Sequence, residues 1–360
     1  MEITEAFSAF GLGAAVSCAP YGCGHINTTY DVRTADGGHY ILQKINTGIF
    51  RDVDALMENI TGVTAFLREK CLAEGGNPER EVLRVHRTAG GRPYFRAADG
   101  VCYRVYSFIE HTVSLQVVKR PEELYAAGLA FGNFAAALSA YPAKKLYETI
   151  PHFHDTVSRY ADFEAAVAKD PLKRAGGVAA EIDFVRARKE EAGVLVRLLA
   201  SGEIPLRVTH NDTKLNNVLL DEVTEAPVAV IDLDTVMPGS ALYDFGDAIR
   251  FGSNPAAEDE RDLEKVYCEL PFFAAYTGGY LAACGGSLTE KEMELLPFSA
   301  RLMTYECGMR FLTDYLLGDT YFRIHRPAQN LDRCRTQFKL VADMEKKAGE
   351  MAKIVAGCRK

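Results

Sequence analysis

Between Val16 and Ile45 the chain reads as strand, glycine turn, strand, turn, strand, in short apolar runs. The Ala35-Asp36-Gly37-Gly38 stretch is a strong hairpin turn, because Asp-Gly and Gly-Gly tolerate positive φ. Over residues 52–71 the spacing of Val53, Leu56, Met57, Ile60, Val63, Thr64 and Leu67 predicts an amphipathic helix. Three more strand-like runs follow near 81–88, 92–96 and 101–109, separated by Gly90-Gly91 and Asp99-Gly100. Beyond Glu110 helical patterns dominate, at roughly 121–140, 179–201, 258–283, 288–316 and 328–356. A strand-rich patch at 206–233 interrupts them, and no repeat or low-complexity linker is visible. The pattern predicts an α+β protein. A small antiparallel-sheet lobe over 1–109 is joined, by a short hinge near Tyr106–His111, to a larger, mostly helical lobe over 110–360.

Composition narrows this picture. A chain of 360 residues with 48% hydrophobic content can bury a core large enough for two lobes. The net charge is −8 and no Lys/Arg-rich tract stands out, which argues against a nucleic-acid partner. Any anionic ligand would then be held by local N–H groups and a divalent metal rather than by the global field. Nine cysteines are scattered with no C-x-x-C, the usage of free thiols in a reducing compartment rather than of a disulfide framework or a zinc cage. The N-terminus lacks the basic and apolar segments of a signal peptide. No apolar run approaches the ~20 residues that span a bilayer. A soluble, cytoplasmic, monomeric protein with no membrane partner is the expectation.

The densest chemistry lies in Leu206-Arg-Val-Thr-His-Asn-Asp-Thr-Lys-Leu-Asn-Asn217 and, shortly after, Ile231-Asp232-Leu233-Asp234. His210-x-Asp212 followed by Asn217 has the spacing that phosphoryl transfer needs. The Asp212 carboxylate can orient a substrate hydroxyl and take its proton, and the Asn217 amide oxygen can hold a metal ion. Asp232, at a strand end, can bind the metal that neutralises nucleotide phosphates, and these oxygen ligands suit Mg²⁺. His210 reads as a structural support of the loop rather than a proton carrier. Asp234 completes an Asp-x-Asp, which elsewhere marks metal-dependent glycosyltransferases, but the βαβ pattern of a nucleotide-sugar domain is absent. It either touches metal through water or caps the strand.

Upstream, Tyr21-Gly22-Cys23-Gly24-His25-Ile26-Asn27-Thr28-Thr29-Tyr30 sits at a strand–turn–strand. Gly22 and Gly24 let backbone N–H groups approach phosphate oxygens, although an ordinary hairpin turn has the same glycines. His25 and Asn27 face either phosphate or acceptor. In Tyr40-Ile-Leu-Gln-Lys-Ile45, alternation puts Ile41 and Gln43 on one face and Leu42 and Lys44 on the other. With Ile41 over an adenine, Gln43 points at the phosphates, in the place where kinase-like enzymes carry a lysine. Either Lys44 is recruited through a bulge, or an amide plus metal suffices. Downstream, Asp244 in Tyr243-Asp244-Phe245-Gly246-Asp247 reads as a brace of the catalytic loop. His152-Phe153-His154-Asp155 lacks further ligands at helical spacing, so a loop near the acceptor or a satisfied pair is preferred to a metal site.

Gly24–Tyr30, His152–Thr156, the 206–217 run, Ile231–Ser240 and Tyr243–Asp247 together resemble the aminoglycoside/choline-kinase-like phosphotransferases. The longer strings, Thr209–Asn217 above all, are most similar to the N-acetylhexosamine 1-kinases of that family, and the likeness runs over essentially the whole chain. The resemblance implies a protein-kinase-like bilobal fold with a nucleotide-binding lobe at 1–109 and a catalytic and substrate-binding lobe at 110–360. It also implies Mg²⁺ and ATP, the latter as phosphoryl donor, with Asp212 catalytic and Asn217 and Asp232 on the metal. The acceptor would be the anomeric hydroxyl of GlcNAc or GalNAc, and the sugar contacts His25, Phe251 and Arg310. The same chemistry on another hexose, an amino alcohol or an aminoglycoside stays open, as does a non-catalytic kinase-like binding module.

Overall fold

Glycine-bounded apolar runs do form strands in the first third of the chain. The computed structural model describes residues 3–22 and 26–359. Its first sheet contains β1 (Ala15–Pro20), β2 (Thr28–Thr34), β3 (His39–Ile45), β4 (Val85–His86), β5 (Phe95–Arg96) and β6 (Cys102–Ser107). The order is β1-β2-β3-β6-β4, with β5 also on β6, and the pairings are antiparallel. The expected turn closes the β2–β3 hairpin: Gly37 takes φ +88°, and Thr34 N donates to Gly38 O at 2.9 Å. One sheet face is dry, with Val32, Leu42, Tyr103 and Val105 clustered with Phe7 of the N-terminal helix Ile3–Ser8 and Phe10 in the turn after it.

The helix Val53–Ala73 begins where the Asp52 carboxylate accepts the Ala55 N–H at 2.9 Å. It buries Val53, Leu56, Met57, Ile60 and Val63, the stripe that the spacing predicts. From its buried face Asn59 bonds the main chain of Tyr147 and donates to Val236 O at 3.0 Å. Two distant segments are thereby tied to the sheet region. One compact unit accordingly comprises Met1–Val113, Ala140–Pro151 and Leu219–Met237. The other comprises Ser114–Ser139, His152–Val218 and Pro238–Lys360.

The second unit is mostly helical. Helices Pro121–Ala137 and Leu270–Cys284 approach so closely that a Cβ on Gly128 would lie 2.3 Å from Tyr276 O, and one on Gly279 2.2 Å from Tyr125 O. Larger side chains there would force the helices apart. Helices Glu290–Leu317 and Gln329–Cys358 supply much of the remaining core, the former opened by a Thr289/Glu292 capping box.

Three expectations need correction. The helix expected over 258–283 starts only at Leu270; before it lies irregular chain with a single turn at Leu263–Lys265. Its charged residues instead reach outward to other elements, as in the Arg250–Glu258, Arg326–Asp259 and Arg261–Asp332 pairs. The run 179–201 is broken into Ala179–Arg186, Lys189–Ala192 and Val194–Ser201, with Gly193 at the second break. The strand expected near 81–88 opens as a helical turn, Pro78–Glu81, because Asn77 caps it and Pro78 pre-sets φ at its first position.

Candidate active site

The strand Arg207–Thr209 delivers the chain into the loop 210–214, which ends in a tight turn at Leu215–Asn217. Two features shape that loop. Asn211 takes φ +63°, a left-handed conformation that asparagine tolerates. Asp244, on the Ser240-capped helix Ala241–Gly252, accepts the N–H groups of His210 at 2.8 Å and Asn211 at 2.7 Å. Thr213 Oγ1 closes the clamp by donating to Asp244 O at 2.6 Å. The His210 ring is fully buried, edge-on to Phe131 and Phe134, and its Nδ1 accepts from Asp212 N at 3.3 Å.

Asp212 emerges from this frame with its side chain 26% exposed, so the carboxylate can be reached. One oxygen lies 2.8 Å from Lys214 Nζ, and the other accepts from Asn217 Nδ2 at 3.1 Å. Asn217 Nδ2 also donates to Asp212 O at 2.8 Å. The amide nitrogen is thus committed to Asp212, which leaves the amide oxygen as the atom suited to a cation. Sequence reasoning missed Lys214, although the Asp-x-Lys spacing carried the signal. Burial opposes its charge, but Asp212 and Asp247 hold its pKa above the ordinary lysine value.

Two buried carboxylates on the bracing helix titrate in opposite directions. Burial pushes Asp244 up, against the pull of His210 and the two loop N–H groups. Burial acts on Asp247 too, but Arg250, 2.9 Å away, and Lys214 hold it below the usual aspartate value. Phe251 lies half-buried near the end of the same helix.

Arg310, on helix Glu290–Leu317, faces the rings of Phe153 at 5.5 Å, Tyr321 at 5.8 Å and Phe322 at 5.5 Å. Asp314, one turn on, orders that wall by accepting the N–H groups of Thr320, Tyr321 and Phe322 at 2.8–2.9 Å. Arg159 is close enough that burial and the Arg310 charge depress its pKa. His154 Nδ1 lies 2.8 Å from Glu306 Oε1 and Thr156 donates to the other oxygen, while His154 Nε2 is buried without a hydrogen-bond partner among the described residues and Asp155 caps the following helix. Among the described residues no group of three or more His, Cys, Asp or Glu is arranged to hold a metal.

The first unit carries the other predicted residues. In the β3–β6 register Gln43 stands opposite Arg104 and Ile41 opposite Tyr106. Gln43 Oε1 accepts from Arg104 Nε at 3.0 Å and Nη2 at 2.7 Å, while Gln43 Nε2 donates to Thr29 Oγ1 at 3.0 Å. Arg104 Nη1 meets Asp234 Oδ1 as an ion pair, and Asn27 Nδ2 donates to the other Asp234 oxygen. Burial works against the Arg104 charge, but Asp234, Tyr106 and Asp232 outweigh it. Asp232 follows the strand Pro227–Val230 in a left-handed conformation, φ +60°, costly for an aspartate and set by the turn Leu233–Thr235 after it. Lys44 is exposed on the face opposite Gln43, and Gly22 takes φ +74°. Gly24 and His25 lie outside the described residues. Sequence reasoning did not single out Arg104, whose only signal is a lone charge inside an apolar strand.

An antiparallel sheet unit that includes the Ile231-Asp232 turn, and a mostly helical unit that carries the His210-x-Asp212 loop, define a kinase-like fold. The sequence model of APH, the phosphotransferase enzyme family, matches residues 17–279, and the chain belongs to that family. Its fold is similar to that of a microcompartment-associated aminopropanol kinase, with a TM-score of 0.59 at 15% identity over 97% of both chains. It is also similar to a Plasmodium vivax ethanolamine kinase, with a TM-score of 0.57 at 13% identity over 89% of this chain and 82% of the other. An amicoumacin kinase bound to AMP-PNP and Ca²⁺ gives 0.53 at 14% identity over 94% and 88%. No helix among the described residues is long and apolar enough to cross a membrane.

Proposed function

We propose that this phosphotransferase uses ATP to phosphorylate the anomeric hydroxyl of N-acetylhexosamines, GlcNAc or GalNAc, giving the sugar 1-phosphate. The observation that carries the chemistry is the reachable Asp212 carboxylate, held between Lys214 and Asn217 on a loop clamped by Asp244. Asp212 accepts a hydrogen bond from the acceptor hydroxyl and takes its proton as the oxygen bonds to the γ-phosphorus and the bond to ADP breaks. Lys214 holds the carboxylate in place and adds positive charge beside the transferring group. Asn217 and Asp232 are assigned to Mg²⁺, whose preference for oxygen donors they match and which would neutralise phosphate charge. The AMP-PNP complex of the amicoumacin kinase supports ATP as donor. Residues 1–109 are assigned to the nucleotide and residues 110–360 to catalysis and the acceptor. Gly22, Gly24, Asn27 and Ile41 would line the nucleotide, and His25, Phe251 and Arg310 the sugar.

The acceptor assignment is supported by charge. Arg310 and Arg159 lie together against Phe153, with Tyr321 and Phe322 also beside Arg310, and Glu306 and Asp162 balance part of their charge. The guanidinium donors suit the hydroxyls of a neutral ring and disfavour an ammonium, and the aromatic faces offer a stacking surface for a pyranose. The test is a screen of free sugars, amino alcohols and aminoglycosides with Mg-ATP, the position of phosphate being read by phosphorus and proton NMR. A 1-phosphate of an N-acetylhexosamine is expected; a 6-phosphate, or turnover only with a cationic acceptor, overturns the substrate. Asp212→Asn should bind ADP normally and lose on the order of 10²–10⁴-fold in kcat. Near-normal turnover would remove Asp212 from its role.

A further inference from the structure

The phosphate-pairing lysine expected on β3 is a glutamine, and the neighbouring strand explains why. Arg104 stands directly opposite Gln43 across the β3–β6 ladder. A lysine at 43 would set two cations face to face, a destabilising cross-strand pair. Gln43 instead presents a neutral amide oxygen that takes two guanidinium N–H groups and leaves the charge for Asp234. The positive charge has in effect moved one strand over.

That charge cannot touch a phosphate. The Arg104 side chain is 1% exposed, with Nε and Nη2 on Gln43 and Nη1 on Asp234. The fork reaches three segments at once. It fixes Gln43 on β3 and Asp234 in the turn after Asp232, and through the shared Asp234 carboxylate it fixes Asn27, which in turn accepts the Asn46 N–H at 2.9 Å. A buried ion pair of this kind contributes little net stability against an apolar substitute, so its value is in placement. A lysine in its stead concentrates its donors on a single nitrogen and lacks the planar fork that meets Gln43 and Asp234 from separate nitrogens.

We propose that Arg104 is a positioning residue that replaces the missing lysine by fixing Asp234, and with it the left-handed Asp232, in the geometry that holds the metal of the metal–nucleotide complex. This rests on the phosphotransferase reading and on Asp232 as a metal ligand. The direct probe is Mn²⁺, followed by electron paramagnetic resonance as it binds the full-length protein with ADP present. Arg104→Lys and Arg104→Met are compared with wild type, and folding is followed by circular dichroism and Tm. Loss of a group that orients a metal ligand typically costs ~10–100-fold in metal affinity. That loss is expected for Arg104→Lys while metal-free ADP binding stays within about twofold. The Mg²⁺ concentration for half-maximal turnover should rise by the same factor, with the acceptor KM unmoved.

A merely structural Arg104 would lower Tm and leave Mn²⁺ affinity of the folded protein unchanged, which would overturn the proposal. Were Arg104→Met to fail to fold, Arg104→Lys, which keeps the charge, decides alone. Failure of the wild type to bind Mn²⁺ with ADP would instead sink the metal assignment itself, a different and recognisable result.

Discussion

Asp234 meets a full positive charge, the Arg104 guanidinium, whereas Asp244 meets two main-chain N–H groups, those of His210 and Asn211. Both carboxylates are nearly sealed from water, 3% and 5% exposed, and each holds a segment that bears a candidate site residue. The first unit fixes its segment with side-chain charge; the second fixes its loop with backbone dipoles. Backbone donors are present whatever residues the loop carries, so the two bonds to the Asp244 carboxylate depend on one side chain, with the Thr213 hydroxyl adding a bond to Asp244 O. The Asp234 brace depends on a matched pair, and either half without the other is a buried, uncompensated group.

The largest effect should follow from breaking that pair. Asp234→Asn leaves the Arg104 charge buried without its counter-ion, which typically costs about 3–5 kcal/mol. Urea unfolding should show it. Arg104→Met combined with Asp234→Leu should be milder than Asp234→Asn alone, because both buried charges then disappear together. A double variant worse than the single one would mean that the two residues do not act as a pair.

That pair also marks the boundary of what the chain discloses by itself. The hairpin at 35–38, the helix from Val53 and the loop from His210 to Asn217 are legible because their signals are local: turn residues, a helical stripe, a short motif. The Gln43–Arg104 pairing is not, since it depends on the register of strands far apart in sequence. Helix Ala241–Gly252 was hidden for a different reason. Its polar residues Asp244, Asp247 and Arg250 recur at helical spacing, but they are buried and engaged in loop and ion-pair contacts, so they read as site chemistry rather than as the solvent face of a helix. Conversely, 258–269 has helix-forming charges, but they are drawn off to partners on other elements.

A smaller effect is expected at Asp244. Asp244→Asn keeps one acceptor oxygen and turns an NH₂ toward the second N–H, at a cost of about 1–3 kcal/mol. Turnover should fall with ADP affinity unchanged, because the clamp serves the Asp212 loop. Acid offers the same contrast without mutation. Burial raises Asp244 above 3.8, so the native state takes up this proton at a higher pH than the unfolded chain. Its contribution to stability therefore grows as pH falls through the folded pKa, yet a protonated carboxyl no longer accepts both N–H bonds. Asp247 is held below 3.8, so its contribution is present above that value and is lost only at lower pH. Amide-resolved hydrogen exchange should show protection at His210 and Asn211 falling several-fold above pH 3.8, before the Thr213 N–H, which donates to Asp247 at 3.3 Å, loosens, and Asp244→Asn should abolish that step. Simultaneous loosening of all three amides would erase the distinction between the two carboxylates.

The smallest expected effect is at Lys44, and it decides where the first unit keeps its charge. Alternation along β3 puts Lys44 on the face opposite Gln43, and it is exposed. An exposed side chain without a specific role typically contributes within about 0.5 kcal/mol. Lys44→Ala should therefore leave stability within that margin, and kcat and the ATP KM within about twofold. The opposite result would be instructive. A rise in ATP KM of about a hundredfold would mean that β3 bends enough in the nucleotide complex to bring Lys44 onto the phosphates. The Arg104–Asp234 pair would then only hold the turn together, and the first unit would act on the nucleotide through a surface lysine rather than through a buried arginine. Measuring Lys44→Ala beside Arg104→Lys separates these cases, because one weakens nucleotide binding without metal and the other weakens metal binding with nucleotide present.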